Sequence, residues 1–507
     1  MIENLALGFS ISLSFNNVIL CFIGCFLGTF IGVLPGLGPT ATVAILLTLT
    51  YKLDLTSSII MLAGIYYGAQ YGGTITSVLL KIPGEVSTVV TMIDGHQMAL
   101  QGRAGKALGI AAFGSCIAGT FGTVVLGLFA PILANYALMF GPPEYAALMI
   151  LGLTMVVYLG SGSVTKAILM GALGLALGTV GTDPVTGVER FTFGFDVLYE
   201  GVNIAVMAMG IFGIGEVLYM AVNVEERSKR DMVRYPGRLR ELLPDKKDWK
   251  NSALPISRGT LLGFLLGVLP GGGATISSFV AYATEKKFSR HPERFGKGAI
   301  EGVAGPESAN NSAVSGAFVP LLTLGIPSNC VMALLAGAFM LHGVTPGPLI
   351  VKEYPAVFWG VITSMYIGNV ILLILNVPLI KVFVKICEVP MALLSPVIIL
   401  ICGIGAYSIN GNPVDVLQTM IWGVVGYLMR TFDYEPAPIL LGFVLGPLLE
   451  QAVRQSLIMS QGSMLIFFLR PISMTLLSAT LLVTVAPVIL KLFMKGISSI
   501  SGFDNKI

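Results

Sequence analysis

The chain has 507 residues, 55% of them hydrophobic and 11% charged, and a formal net charge of +3. Soluble globular chains are about 25% charged, so composition excludes a soluble fold and points to an all-α polytopic membrane protein. The small net charge leaves no electrostatic footprint for nucleic acid, and no basic stretch precedes the first apolar run, so no cleaved signal peptide is expected.

Asn4 to Tyr51 is a run of 48 residues without a charge, yet "GVLPGLGPTAT" (Gly32 to Thr42) inside it holds three glycines and two prolines. Unpaired backbone groups cannot face hydrocarbon, so these breakers imply a broken helix lining a cavity. Further charge-free runs at 55–80, 107–143, 145–165, 167–182 and 201–215 read as spans. The first includes "GIYYGAQYGGTITS", which offers Tyr67, Gln70, Tyr71 and Thr74 at depth; Gly68, Gly72 and Gly73 read as close-packing positions. "LLKIPGE" follows, a break at Pro83-Gly84. Its Lys81 could attract an anionic solute, pair with Glu85 or reach the interface.

Glu225 to Arg258 carries ten Lys/Arg and six Asp/Glu, the mark of a cytoplasmic loop. It divides the chain into a first membrane repeat (1–222), a basic loop (223–256) and a second membrane repeat (257–507). Leu254 to Thr284 lies between basic segments and is too short for two crossings of about 20 residues each. It reads as a re-entrant hairpin turning at "PGGGA". Next, "GPESANNSAVSG" places Glu307, Ser308, Asn310, Asn311 and Ser312 at the start of the uncharged run 308–351. Paired Asn carbonyls suit a hard cation such as Na⁺, or serve interhelical hydrogen bonding. A second break follows at Pro327-Ser328, then runs at 354–380, 389–414, 416–429, 436–449 and 471–490. Five crossings here would put the C-terminus outside, although Lys491, Lys495 and Lys506 lie there. The six cysteines (Cys21, Cys25, Cys116, Cys330, Cys387, Cys402) form no CxxC, and His96, His291 and His342 have no metal-ligand spacing.

The halves resemble each other. "GVLPG" recurs 235 residues on, at 32 and 267, and Ile-Pro recurs 244 residues on, at 82 and 326. Two matches in order argue for duplication. The basic side switches between copies: "EKKFSRHPERFGK" follows the second GVLPG where "YKLD" follows the first, while "QGRAGKA" belongs to the first copy alone. An inverted repeat follows, with two re-entrant hairpins and broken helices, and an elevator-like or rocking motion is expected of it. Each hairpin's returning helix, starting near Thr40 or Thr275, would aim free N–H groups at mid-membrane and cradle an anion. The alternative is that the Gly-Pro turns only kink helices for packing.

With "GVLPGLGPTAT", "YYGAQYGGTITSVLLKIPG", "GTDPVTGVERFTFG", "GVLPGGGAT", "GPESANNSA" and "LTLGIPS...HGVTPGP" in hand, the chain resembles, over nearly its whole length, the large membrane subunit of the tripartite tricarboxylate transporters, the TctA family. The resemblance implies a multi-pass permease of the bacterial inner membrane for citrate-like or other carboxylates, driven by Na⁺ or H⁺. It implies two partners, a small four-helix membrane subunit and a periplasmic solute-binding protein, and leaves open a homodimer of the heteromer. No GxxxxGK[ST] loop is present, in keeping with an ion gradient instead of ATP. It places Gly36, Gly38, Thr40, Gly271, Gly272, Gly273, Thr275, Asn310 and Asn311 on the substrate path. Pro39, Lys81, Pro83, Gly84, Pro327 and Ser328 join them as expected substrate-binding residues. Thr74, Ser308, Asn310, Asn311 and Ser312 are the expected ion-coupling residues. Ser328 and Lys81 depart from the family pattern, where glycine and a neutral polar residue are usual. A rival reading is an ion channel with re-entrant selectivity loops. An intramembrane enzyme would need a reactive pair at depth, and none of Asp94, Asp183, Asp196, Asp415 and Asp433 stands in a paired motif; no enzyme activity or cofactor is expected.

Overall fold

A span surrounded by hydrocarbon must satisfy its own backbone groups, and the chain accordingly forms helices, with one hairpin pairing Gly181–Thr182 and Glu189–Arg190. The structure, a computed structural model, describes residues 2–34, 37–159, 163–183, 185–222, 233, 239–386, 389 and 391–485. The first half contains α1 (Ile2–Ser12), α2 (Phe15–Gly32), α3 (Pro39–Leu46), α4 (Leu55–Leu80), α5 (Val89–Leu100), α6 (Ala104–Ala137), α7 (Pro142–Leu159) and α8 (Val164–Gly178). It ends with α9 (Ile204–Ala208), a π-helical stretch (Met209–Ile214) and α10 (Gly215–Val222). After the short α11 (Leu239–Leu242) come α12 (Lys246–Val268), α13 (Gly273–Phe288), α14 (Glu301–Leu324), α15 (Cys330–Leu341), α16 (Ile350–Glu353) and α17 (Pro355–Asn376). The chain continues through α18 (Ile380–Ile386), α19 (Met391–Asn410), α20 (Pro413–Thr431), α21 (Ala437–Met459) and α22 (Ile466–Leu469). Among the described residues, six helical segments are long and apolar enough to cross a membrane: 15–32, 104–137, 204–222, 355–376, 393–410 and 437–459.

The packing is backbone on backbone. A Cβ on Gly24, Gly28 or Gly32 of α2 would lie 2.3, 2.3 or 2.4 Å from the carbonyl oxygen of Met61, Ile65 or Ala69 of α4. The same ladder recurs where Gly259, Gly263 and Gly267 of α12 meet Gly305, Ala309 and Ala313 of α14 at 2.3, 2.2 and 2.3 Å. The shifts between ladders are 235 residues for the glycines (24 to 259) and 244 for the carbonyls (61 to 305), the offsets of the two sequence matches. Numbers rise together along each ladder, so α2 runs parallel to α4, and α12 to α14. Between the pairs the sense reverses: Thr74 meets Glu307 and Tyr67 meets Phe318, so α4 and α14 run antiparallel.

Each long helix ends in an equivalent break. Lys81 (φ 55°) and Gly325 (φ 73°) stop α4 and α14 in the left-handed region, and four residues later Glu85 and Asn329 are the extended N-caps of the next helical turns. α12 and α13 form a hairpin closed at its base by a bidentate pair, Arg258 Nε to Glu285 Oε1 at 2.7 Å and Nη2 to Oε2 at 2.5 Å. The returning helices start at Pro39 and Gly273, within two residues of the expected Thr40 and Thr275.

Basic segments from both halves gather at one end. Lys106 pairs with Asp245 and Asp248, the Gln101 side chain donates to Lys297 O, and Arg103 donates to Gly298 O. The Asp248 N–H, and then Lys106, hold the Asp245 carboxyl below the usual carboxylate range. Asp245 also caps α12, so helix begins at Lys246, inside the segment read as a loop to 256. Residues 223–232 and 234–238 of that loop, Cys387, Lys491, Lys495 and Lys506 lie outside the described residues.

Gly263→Leu is expected to destabilise the detergent-purified protein by about 3 kcal/mol or more, because backbone would have to move. Leu265→Ala, at a position 65% exposed on the same helix, is expected to stay within about 0.5 kcal/mol of the parent. Thermal unfolding of both variants checks the pair.

Candidate functional site

The breaks converge. A cavity of about 500 Å³ is walled by Pro39 and Thr40 at the start of α3, by Gly271, Gly272, Gly273 and Thr275 at the α12–α13 turn, and by Ser328 and Asn329 at the second break. Glu85 from the first break, and Tyr66 and Gln70 from α4, join the wall, and apolar side chains such as Val156, Phe212, Val331 and Leu441 fill the rest. Tyr219, Arg430, Asp433, Tyr434 and Glu435 form the rim.

Three helices begin here. α3 opens with Pro39 after an extended Gly38, and α13 opens after Gly272; neither has a side-chain cap. Asn329 caps α15 by accepting from the Met332 N–H at 3.0 Å. The first N–H groups of a helix have no intrahelical partner, and with the aligned peptide dipoles they make its start partly positive. Three such starts around one cavity favour an anion. At the rim, the Arg430 guanidinium lies 3.5 Å from Glu216 and over the Tyr219 ring. Glu85 is turned toward Ser87, whose hydroxyl donates to it.

The turn is held by one backbone bond. The Gly271 N–H donates to Ser328 O at 2.9 Å, joining the α12–α13 turn to the second break. Gly271 has φ 76°, and a Cβ there would lie 3.0 Å from Met155 O. Gly38 differs, since a Cβ there meets nothing within 4 Å.

Other expected residues stand elsewhere. Gly36 lies outside the described residues. Lys81 is exposed at the end of α4 and does not line the cavity. Pro83 and Pro327 do not line it either, and Gly84 is jammed between Gly73 Cα and Gly32 O, 2.3 and 2.7 Å from a Cβ placed on it. Asn310 sits one layer behind the wall, where its amide donates to Ser87 Oγ (3.5 Å), and Ser87 Oγ, whose one proton goes to Glu85, lies 3.2 Å from Oε1 of the cavity residue Gln70. Asn311 turns away from the cavity and donates to Ser115 Oγ (2.7 Å) and Glu307 O (3.0 Å). Thr74 donates to Glu307 at 2.8 Å, while Ser308 and Ser312 are buried, their hydroxyls without a hydrogen-bond partner. Ser308 faces Gly114 of α6.

Several wall residues escaped sequence reasoning. Asn329 carried a readable signal, an Asn before an apolar helix. Tyr66 had none that separated it from Tyr67. Arg430 comes from a helix distant in sequence from every break.

The sequence comparisons identify a family. The family described as "Tripartite tricarboxylate transporter TctA family" matches residues 18–441. A protein of Agrobacterium vitis, "Uncharacterized 52.8 kDa protein in TAR-I ttuC' 3'region", is 51% identical over 481 residues, 95% of each chain. A second from that organism, "Uncharacterized protein in TAR-II ttuC' 3'region", is 54% identical over 215 residues, 42% of this chain and 89% of the relative. No solved structure matches.

Gly271→Val is expected to lose about 1–3 kcal/mol of stability through left-handed strain, whereas Gly38→Ala is expected to unfold at the parent's midpoint. Thermal melts of the two variants read the difference.

Proposed function

The chain belongs to the TctA family of tripartite tricarboxylate transporters, and on that premise we propose that it is the translocating subunit for secondary active uptake of a tricarboxylate-like solute across the bacterial inner membrane. A periplasmic solute-binding protein delivers the solute, a small four-helix membrane subunit accompanies the chain, and a Na⁺ or H⁺ gradient supplies the energy. The observation that carries this reading is the meeting of three helix starts, drawn from both halves, around one cavity. A carboxylate there would accept from backbone N–H groups and from Thr40, Thr275 and Asn329, with Arg430 at the mouth.

The two halves act as an inverted repeat. The matching glycine ladders and the antiparallel meeting of α4 and α14 support this. Tyr219 on the rim belongs to α10, which leads into the basic segment, so the cavity opens toward the basic, cytoplasmic face. On the other side of the second break, Leu324 and Gly325 line a separate cavity of about 370 Å³. Buried Ile326, Met149 and Leu445 cluster beside that break. In an elevator-like cycle this apolar seal opens while the first cavity closes, exposing the helix starts to each side in turn.

In proteoliposomes holding the chain with its small subunit, and with binding protein outside, labelled citrate or another di- or tricarboxylate is expected to enter saturably. Asn310→Ala should weaken apparent affinity about tenfold, or about 1.4 kcal/mol, by releasing Ser87 and Gln70. A Thr275→Cys variant in a cysteine-free background should react with a small maleimide, and the transported carboxylate should slow that reaction. Ion current without substrate, together with no saturable uptake across the panel, would replace the transporter with a channel.

A further inference from the structure

The polar network behind the cavity ends in a group that the uptake reading leaves unused. Glu307 stands in α14 and is 1% exposed. One carboxylate oxygen accepts from Thr74 Oγ1 at 2.8 Å and the other from Thr91 Oγ1 at 2.6 Å. Among the described residues no Lys, Arg or His forms an ion pair with it. Hydroxyls orient a carboxylate without supplying the opposite charge, and a buried charge without its counter-charge is costly. An ionisable group at membrane depth without a counter-charge marks a site for an ion or a proton.

The surroundings supply the room and the ligands. Beside Glu307 is a cavity of about 10 Å³, large enough for one water-sized species. Tyr71, Thr74, Ser115 and Asn376 line it with Glu307 on one side, each bringing a side-chain oxygen, and apolar side chains including Ile75, Leu108 and Ile380 close the rest. The Tyr71 hydroxyl is buried and has no hydrogen-bond partner. That orphaned oxygen is a second observation, independent of the carboxylate, and it lies on the same small cavity.

We propose that Glu307 binds a sodium ion in this cavity, with Tyr71, Thr74 and Ser115 giving further oxygens, and that this ion drives uptake. A single carboxylate matches a monovalent ion, whereas divalent cations gather more negative ligands. A proton would sit on one carboxylate oxygen and leave the Tyr71 hydroxyl without a partner. A bare cation accepts electron density from all of these oxygens.

The site also has a route to the substrate cavity. Glu307 is three residues before Asn310, which reaches Gln70 in the wall through Ser87. The hydroxyls that hold Glu307 come from α4 and α5 of the first half, so the ion ties the halves together at α14. Filling the site fixes the wall, and emptying it releases the wall. Coupling of the ion to uptake rests on the transport reading; the binding of sodium does not.

Two measurements separate these claims. Thermal unfolding of the purified full chain is read in NaCl and in equal choline chloride. Sodium is expected to raise the midpoint, and Glu307→Gln, folded in choline, is expected to lose that rise. Uptake in the proteoliposomes above should require sodium, and Thr74→Val should raise its half-saturating concentration about tenfold. If Glu307→Gln does not fold, Tyr71→Phe and Thr74→Val read the same site. A Glu307→Gln protein that keeps the sodium response overturns the proposal, as does uptake driven by a proton gradient alone with no sodium effect on the midpoint. A Glu307-dependent sodium response with no carboxylate uptake supports the ion site and overturns the transport reading.

Discussion

Helices that touch through bare backbone hold this protein together. Lipid is as apolar as a leucine side chain, so the hydrophobic effect gives membrane helices little reason to associate. Close approach at small residues replaces it, and here the approach is as close as carbonyl oxygens allow. Gly24, Gly28 and Gly32 on one ladder, and Gly259, Gly263 and Gly267 on the other, admit no side chain. The constraint also sets the position of the breaks. α2 and α12 each end at the top of a ladder, while their partners α4 and α14 run on. The next helices, α3 and α13, must therefore begin in the interior, with their starts toward the shared cavity.

The interior solves its charge problem with few charges. Arg430 stands at the rim with Asp433 and Glu435, and the inner wall presents helix starts and hydroxyls beside one carboxylate, Glu85, which accepts from Ser87. Peptide dipoles are fixed by folding and bring no bulky counter-ion, so the same wall can face either side of a membrane. The buried carboxylates are managed individually. Glu285 is paired with Arg258, Asp94 accepts from three backbone N–H groups and from Tyr282, and Glu307 accepts from two threonines. The Asp94 cluster pins α5 to the loop after α13 and so fixes the base of the hairpin.

Much of this was legible because breakers in an uncharged run have few meanings. The glycine turns, the returning helix starts and the two offsets reappear in the packing. What sequence could not give was adjacency. Gly84 reads as a flexible break, yet its neighbours are Gly73 and Gly32, and it is glycine because nothing else fits. Lys81 reads as a candidate anion ligand because a positive charge near mid-span draws notice. The left-handed turn instead leaves it exposed at the end of α4. Lys246 reads as loop because it is charged, although Asp245 before it is a capping residue and Asp248 completes the reciprocal cap. Asn310 and Asn311 share a hydrogen bond, Asn311 Nδ2 to Asn310 Oδ1, yet one reaches Ser87 and the other Ser115, since adjacent helix positions face different directions.

The central claim is that helix starts from both halves form one anion cradle. The most direct measurement is an electron cryomicroscopy map of the protein with a transported carboxylate bound. The account expects ligand density between Thr40, Thr275 and Asn329, with carboxylate oxygens within hydrogen-bond distance of backbone N–H groups at the starts of α3 and α13. Density confined to the other cavity, between Thr345 and Gln451, would contradict it.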